Sequence, residues 1–151
     1  MLKIGLDLHG VIDDDLYMFS TMASIAKKRG HKIFVITGEE DGPSVRNQLT
    51  KCGMKSLYEG VLSITTSTTS HKSLGTRITF INGDETQPMM DPEIWNPTKA
   101  MLCASAGIDF MTDDSPIYGT YFDSIRTQYI LYNDKAKELL KFLCFMVGHI
   151  L

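Results

Sequence analysis

The sequence predicts an α/β three-layer sandwich, a central and mainly parallel sheet with helices on both faces. Three observations carry that prediction. Short apolar runs alternate with capped segments of helical length, the pattern of strand–helix–strand units. The run His31–Thr37 is apolar throughout its centre, as a strand covered on both faces must be. Two runs end in acidic residues, at Asp7 and at Asp113-Asp114, and the carboxyl ends of parallel strands are where such folds place their chemistry.

Leu2–Leu8 is the first expected strand. Asp13-Asp14-Asp15 opens a helix through about Arg29, with acids in its first turn and Lys27, Lys28 and Arg29 in its last, which suits the helix dipole; Gly30 ends it. His31–Thr37 is the second strand. Gly42-Pro43-Ser44 starts a helix that Gly53 stops. Val61–Ile64 reads as a third strand, followed by a polar Ser/Thr-rich loop over 65–76 and a short strand, Arg77–Ile81, closed by Asn82-Gly83. Asp84–Trp95, with Pro88 and Pro92, reads as irregular. Asn96 caps the next helix, with Pro97 as its first helical residue, and that helix runs to Gly107. Asp109–Thr112 is a strand ending on Asp113-Asp114, Thr127–Tyr132 is the last strand, and Asp134 begins the terminal helix.

Composition narrows the class. With 151 residues, 43% hydrophobic and 22% charged, the chain is expected to form one domain, 1–151, large enough to bury a core unaided. Its net charge of -3 argues against a nucleic-acid backbone as the main partner without excluding a nucleotide-sized ligand. Cys52, Cys103 and Cys144 lack metal-type spacing and read as free thiols in a reducing compartment. The amino-terminal apolar run is short and broken by Asp7, so no signal peptide is expected. The greasy run Leu139–Val147 falls short of the roughly 20 residues a membrane span needs, and a core helix or a dimer contact is the expectation. The expected location is cytoplasmic.

The residues with chemistry fall at element ends. Asp7 closes the first strand, Thr37-Gly38 the second, Lys99 lies at the start of a helix and Asp113-Asp114 close a later strand. A parallel sheet gathers these ends on one edge. Phosphoryl transfer needs an in-line nucleophile and charge neutralisation, and an aspartate with a lysine, a hydroxyl and a backbone amide supplies both. Each piece also has a structural reading: Asp113-Asp114-Ser115-Pro116 suits a turn, and a helix lysine is ordinarily solvated.

In this order the four motifs resemble the haloacid dehalogenase-like superfamily of aspartate-nucleophile phosphohydrolases, across nearly the whole chain. The resemblance implies a Rossmann-like core and a Mg²⁺-dependent phosphatase acting through an aspartyl-phosphate. It implies Asp7 as nucleophile and Thr37, Gly38 and Lys99 as phosphate-binding groups. The metal would be held by Asp7, the His9 main-chain carbonyl and Asp113, with Asp114 acting through water or orienting Lys99. Three clustered carboxylates do call for a cation, and hard oxygen donors suit Mg²⁺.

At one place the chain departs from that family. The residue two after the nucleophile is normally a second Asp, which protonates the leaving alcohol and then activates water; here it is His9. Either His9, with an ordinary pKa of about 6.5, takes over acid–base catalysis, or the enzyme is slow, or the domain binds a phosphorylated ligand without useful turnover. A receiver-like domain is a further reading, but its phospho-acceptor follows a later strand and its acidic pair comes early, the reverse of the order here.

Substrate choice in the superfamily usually comes from cap insertions. No large cap fits between the first two strands, and the one sizeable insertion is about 65–96, expected to form a flap beside the crevice. Met89, Met90 and Trp95 are candidates for an apolar lid. Trp95, His71, Lys72 and Arg77 are candidates for touching a base or an anionic group, with a nucleotide or other phosphorylated small molecule as partner. Asp13-Asp14-Asp15 reads as dipole compensation, and His31, His71 and His149 as structural or surface residues.

Overall fold

The computed structural model describes residues 1–70, 78–84 and 88–148, with the side chains of 69, 70, 147 and 148 left aside. His71, Lys72, Arg77 and His149 therefore lie outside the described residues.

In chain order the elements are β1 (Lys3–Asp7), α1 (Leu16–Lys28), β2 (Lys32–Thr37), α2 (Pro43–Lys51), β3 (Gly60–Ser63), α3 (Ile64–Ser70), β4 (Thr79–Phe80) and β5 (Pro88–Met89). They continue as α4 (Pro92–Ala106), β6 (Phe110–Asp113), the single turn α5 (Pro116–Gly119), β7 (Gln128–Leu131) and α6 (Asp134–Gly148). The main sheet has the order β3-β2-β1-β6-β7, and every neighbouring pair in it is parallel. This is the expected three-layer α/β architecture.

Alternation along the strands sorts side chains into two cores. Leu6, Ile33 and Val35 face α1 and α2, meeting Phe19, Ala23, Val45 and Leu49. Ile36 and Met111 face the opposite side, against Ala100 and Cys103 of α4. Full burial of such a side chain contributes about 1.5–3 kcal/mol. The sheet is thus clamped from both faces, and its carboxyl-terminal edge becomes a fixed platform for polar groups.

Four sequence expectations change. The Ser/Thr-rich stretch expected as loop is helical over α3, despite poor intrinsic propensity. Tertiary contacts override propensity there: Ile64 is fully buried and Thr65 donates its hydroxyl to the Gly38 carbonyl at 2.6 Å. Helix α4 begins at Pro92, not at Asn96, because Asp91 caps it by accepting the Glu93 N–H, and Pro97 lies inside the helix. The two cap-and-proline pairs, Asp91-Pro92 and Asn96-Pro97, look alike in sequence, and the earlier one prevails.

The terminal helix is only partly a core helix. Leu140 and Cys144 pack on the core, while Leu139, Phe142, Leu143, Phe145 and Met146 are exposed, since a helix greasy all round can turn only one stripe inward. The triplet Asp13-Asp14-Asp15 does more than compensate a dipole. Asp15 caps α1 through the Met18 N–H, Asp14 binds Tyr132 and Lys137, and Asp13 holds the turn after β1. Within the 65–96 insertion β4 and β5 form a short antiparallel pair. Among the described residues no helix is long and apolar enough to cross a membrane.

Candidate active site

Strand register brings the acidic residues together. Leu6 lies opposite Thr112 across the β1–β6 pair, so the next residues of the two strands, Asp7 and Asp113, emerge side by side. Asp7, Asp113 and Asp114 each offer an oxygen within 4.8 Å of the other two. The ends of β1 and β6 mark the point where the strand order runs outward in both directions, the usual crevice of an open parallel sheet.

Lys99 reaches this crevice from the second turn of α4. Its Nζ lies 3.1 Å from Asp7 Oδ2 and bonds Asp113 Oδ2, and it is 2% exposed. Burial draws its pKa down, yet Asp7 and Asp113 together outweigh burial and hold the ammonium above its ordinary range. Asp7 moves the other way from a usual carboxylate. Burial, the largest effect, pushes its pKa up to about 7, with Asp113 and Asp114 adding to the rise and Lys99 opposing it. Asp114 is also raised, by its partial burial and by Asp113.

One ammonium therefore faces three carboxylates. A donor set of hard carboxylate oxygens at the mouth of a sheet fits Mg²⁺, which keeps waters and takes few protein ligands. The geometry also holds each carboxylate in place. Asp7 Oδ1 accepts the Leu8 N–H at 2.9 Å, and Asp113 Oδ1 accepts the Ser115 N–H at 2.9 Å. The bond from the Ser115 N–H to Asp113 realises the turn reading of Asp113–Pro116. Asp114 packs on Gly10, whose φ is +76°; a Cβ there would meet Asp114 Oδ2 at 2.3 Å. The ion pairs of Lys99 run to Asp7 and Asp113, so Asp114 does not orient it by direct contact.

Thr37 and Gly38 lie on the neighbouring strand, one and two residues past the partner of Asp7. The fully buried Thr37 hydroxyl accepts the Glu39 N–H at 3.2 Å and keeps its own proton to donate. Gly38 is covered by the chain's single tryptophan: a Cβ there would meet Trp95 Cζ2 at 2.7 Å. The Trp95 indole N–H donates to Tyr118 Oη at 3.0 Å, and the Tyr118 ring lies 4.6 Å from Lys99 Nζ. Trp95 thus packs over Gly38 at the end of β2, with Met90 buried and Met89 half-exposed in the adjoining segment.

His9 is gripped from both sides, Nδ1 at 3.3 Å from Asp13 Oδ2 and Nε2 at 3.2 Å from Glu39 Oε2. Glu39 is the residue that sequence reasoning passed over. It is 4% exposed, and it accepts bonds from Ser44 Oγ and Gln48 Nε2. The available signal was Ser44 and Gln48, one helical turn apart on α2 and facing back along the chain toward an acid at the end of β2. His31, by contrast, has the structural role expected of it, with Nδ1 accepting the Leu2 N–H.

Two cavities, of about 540 and 330 Å³, lie beside α6 and beside α4, and neither is lined by a member of the acidic cluster. Cys103 is fully buried on the inner face of α4, and burial pushes its thiol up to about 12, the behaviour of an inert core cysteine.

No family model and no curated protein sequence matches the chain. A crystal structure of an uncharacterized protein from Corynebacterium glutamicum is similar, with a TM-score of 0.58 and 12% identity over 95% of this chain and 93% of that chain. A likeness at that identity shows the shared α/β fold alone.

Proposed function

We propose that the protein is a Mg²⁺-dependent phosphohydrolase of phosphomonoesters that works through an aspartyl-phosphate on Asp7. The observation that carries this reading is the buried Lys99 ammonium set between Asp7 and Asp113 at the ends of adjacent parallel strands, with Asp114 beside them. A lysine fixed beside a strand-end aspartate is costly as mere packing, and phosphoryl transfer needs both.

In this reading Asp7, Asp113 and Asp114 would hold Mg²⁺, which when bound neutralises charge on the phosphoryl oxygens and keeps Asp7 ionised. Lys99 fixes a positive charge beside the nucleophile. Thr37 and the Gly38 N–H donate to phosphate oxygens. An Asp7 oxygen attacks phosphorus; the P–O bond to the alcohol breaks, and the alcohol oxygen takes a proton from His9. Water then attacks the phosphorus of the acyl phosphate, giving its proton to His9, and Asp7 leaves as carboxylate with inorganic phosphate released. A nucleotide or another phosphorylated small molecule is the substrate class, with Trp95, packed over Gly38, as an aromatic surface beside the site.

The test is a phosphate-release screen over nucleotides, sugar phosphates and p-nitrophenyl phosphate, with Mg²⁺ or with EDTA. Release that needs Mg²⁺ and disappears in Asp7→Asn is expected. Saturable binding of these compounds without release in any condition overturns catalysis in favour of a binding domain.

A further inference from the structure

Glu39 is a carboxylate buried one residue past the Thr37-Gly38 strand end, and the reaction just described does not use it. Its bonds come from Ser44 Oγ at 2.7 Å, Gln48 Nε2 at 2.8 and 3.0 Å, and His9 Nε2 at 3.2 Å. Ion pairs formed by Glu39 among the described residues number only that with His9. Ser44 and Gln48 are neutral donors, so the imidazole is the one partner able to bring a positive charge to a carboxylate that burial makes costly. On the ring's other side, Asp13 shares its two oxygens between His9 Nδ1 and the Gly10 N–H, the latter at 2.6 Å.

We propose, on the basis of the phosphohydrolase reading, that Glu39 is a positioning residue whose carboxylate fixes the His9 imidazole beside the strand-end site. The sequence departs from its resembled family at His9, and it is this position that the buried acid supports. Asp13 alone fixes the ring poorly, because its side chain is 42% exposed whereas that of Glu39 is 4% exposed. The second anchor comes from a different strand end, β2, and holds Nε2 on a buried acid, which leaves Nδ1, on the exposed Asp13 side, as the nitrogen that exchanges a proton. Proton exchange with an alcohol oxygen depends on such fixation, since a catalytic group held in place is far more effective than a mobile one. Ser44 and Gln48 in turn hold Glu39 to the first turns of α2.

The experiment measures kcat and KM on β-glycerophosphate, whose alkoxide needs a proton, and on p-nitrophenyl phosphate, whose leaving group does not. Glu39→Ala is expected to lower kcat/KM, which reports formation of the aspartyl-phosphate, by about 10- to 100-fold on β-glycerophosphate, a part of the general acid–base contribution, and to leave kcat/KM on p-nitrophenyl phosphate nearly unaffected. Glu39→Gln, which keeps an acceptor for His9 Nε2–H, restores most of the loss. In a His9→Asn background Glu39→Ala adds no further loss, because the two residues act as one unit. Ser44→Ala, at an exposed position, gives the same leaving-group pattern more weakly and does not disturb the fold. An equal fall in kcat/KM on both esters in Ser44→Ala and Glu39→Gln, or additive losses with His9→Asn, overturns the assignment of Glu39 alone. Wild-type protein that releases phosphate from neither ester overturns the phosphohydrolase reading and this assignment with it.

Discussion

Lys99 Nζ sits 3.1 Å from Asp7 Oδ2 with both groups nearly closed to solvent, so each is the other's main defence against burial. Removing one partner of such a pair is far more damaging than replacing both, because a charge is left buried and uncompensated. Lys99→Met leaves Asp7 and Asp113 facing each other and is expected to destabilise the metal-free protein by about 3–5 kcal/mol in urea unfolding. Added Mg²⁺ recovers part of that loss. A variant as stable as wild type without metal would remove the basis for treating Lys99 as the cluster's fixed cation.

Asp7 predicts a stability that falls as pH rises. The folded metal-free chain keeps the Asp7 proton up to about 7, whereas the ordinary value is 3.8. Between those values the folded state binds more protons than the unfolded one, so its contribution is complete below about pH 4 and is lost as pH climbs through about 7. Unfolding midpoints in EDTA at steps from pH 5 to 8 should decline, and Asp7→Asn should flatten the slope.

The same proton competes with the cation. Mg²⁺ needs the carboxylate, so its affinity should rise with pH up to about 7 and level off above, by about tenfold per pH unit for one displaced proton. Calorimetric titrations at pH 6 and pH 8 measure this directly. Equal affinities at the two values contradict a site built on Asp7.

Gly38→Ala places a methyl 2.7 Å from the Trp95 ring. Overpacking of this kind costs about 1–3 kcal/mol, and shortening Trp95 in the same chain should relieve most of it. Because Trp95 is the chain's single tryptophan, its fluorescence reports on the strand ends without labelling. Binding of a phosphate analogue beside Gly38 should shift its emission, and Asp7→Asn should weaken that response.

Gly10→Ala combines a φ of +76° with a Cβ driven into Asp114 Oδ2. The expected result is weaker Mg²⁺ binding together with lost stability, read by calorimetry and by thermal unfolding. Unaltered metal affinity would place Asp114 outside the cation site.

Strands and strand-end residues were legible because they follow simple rules. His31–Thr37 is apolar where both faces are covered, and Asp7, Thr37, Lys99 and Asp113 stand where a parallel sheet collects its edge. The parts that escaped depend on distant contacts. No propensity marks Ile64–Ser70 as helix, since its Thr65 hydroxyl is satisfied by the Gly38 carbonyl of another strand end. Glu39 reads as a polar loop residue until α2 folds back over it with Ser44 and Gln48. Pro92 and Pro97 offered equivalent starts to one helix, and only the Asp91 cap decides between them.

The seam between β1 and β6 joins residues 106 positions apart at the Ile4–Phe110 pair, while β1, β2 and β3 all come from the first 63 residues. Contacts of such separation carry a large closure entropy and form slowly. Strand β1 can pair with β2 long before Asp113 exists on the ribosome, so the acidic cluster is a late event in the life of each molecule. Until then Asp7 keeps its freedom to hydrate, and its desolvation is imposed only when β6 zips onto β1. Amide exchange along β1 and β6 should therefore report the lifetime of the assembled site, with the seam opening as a unit rather than residue by residue.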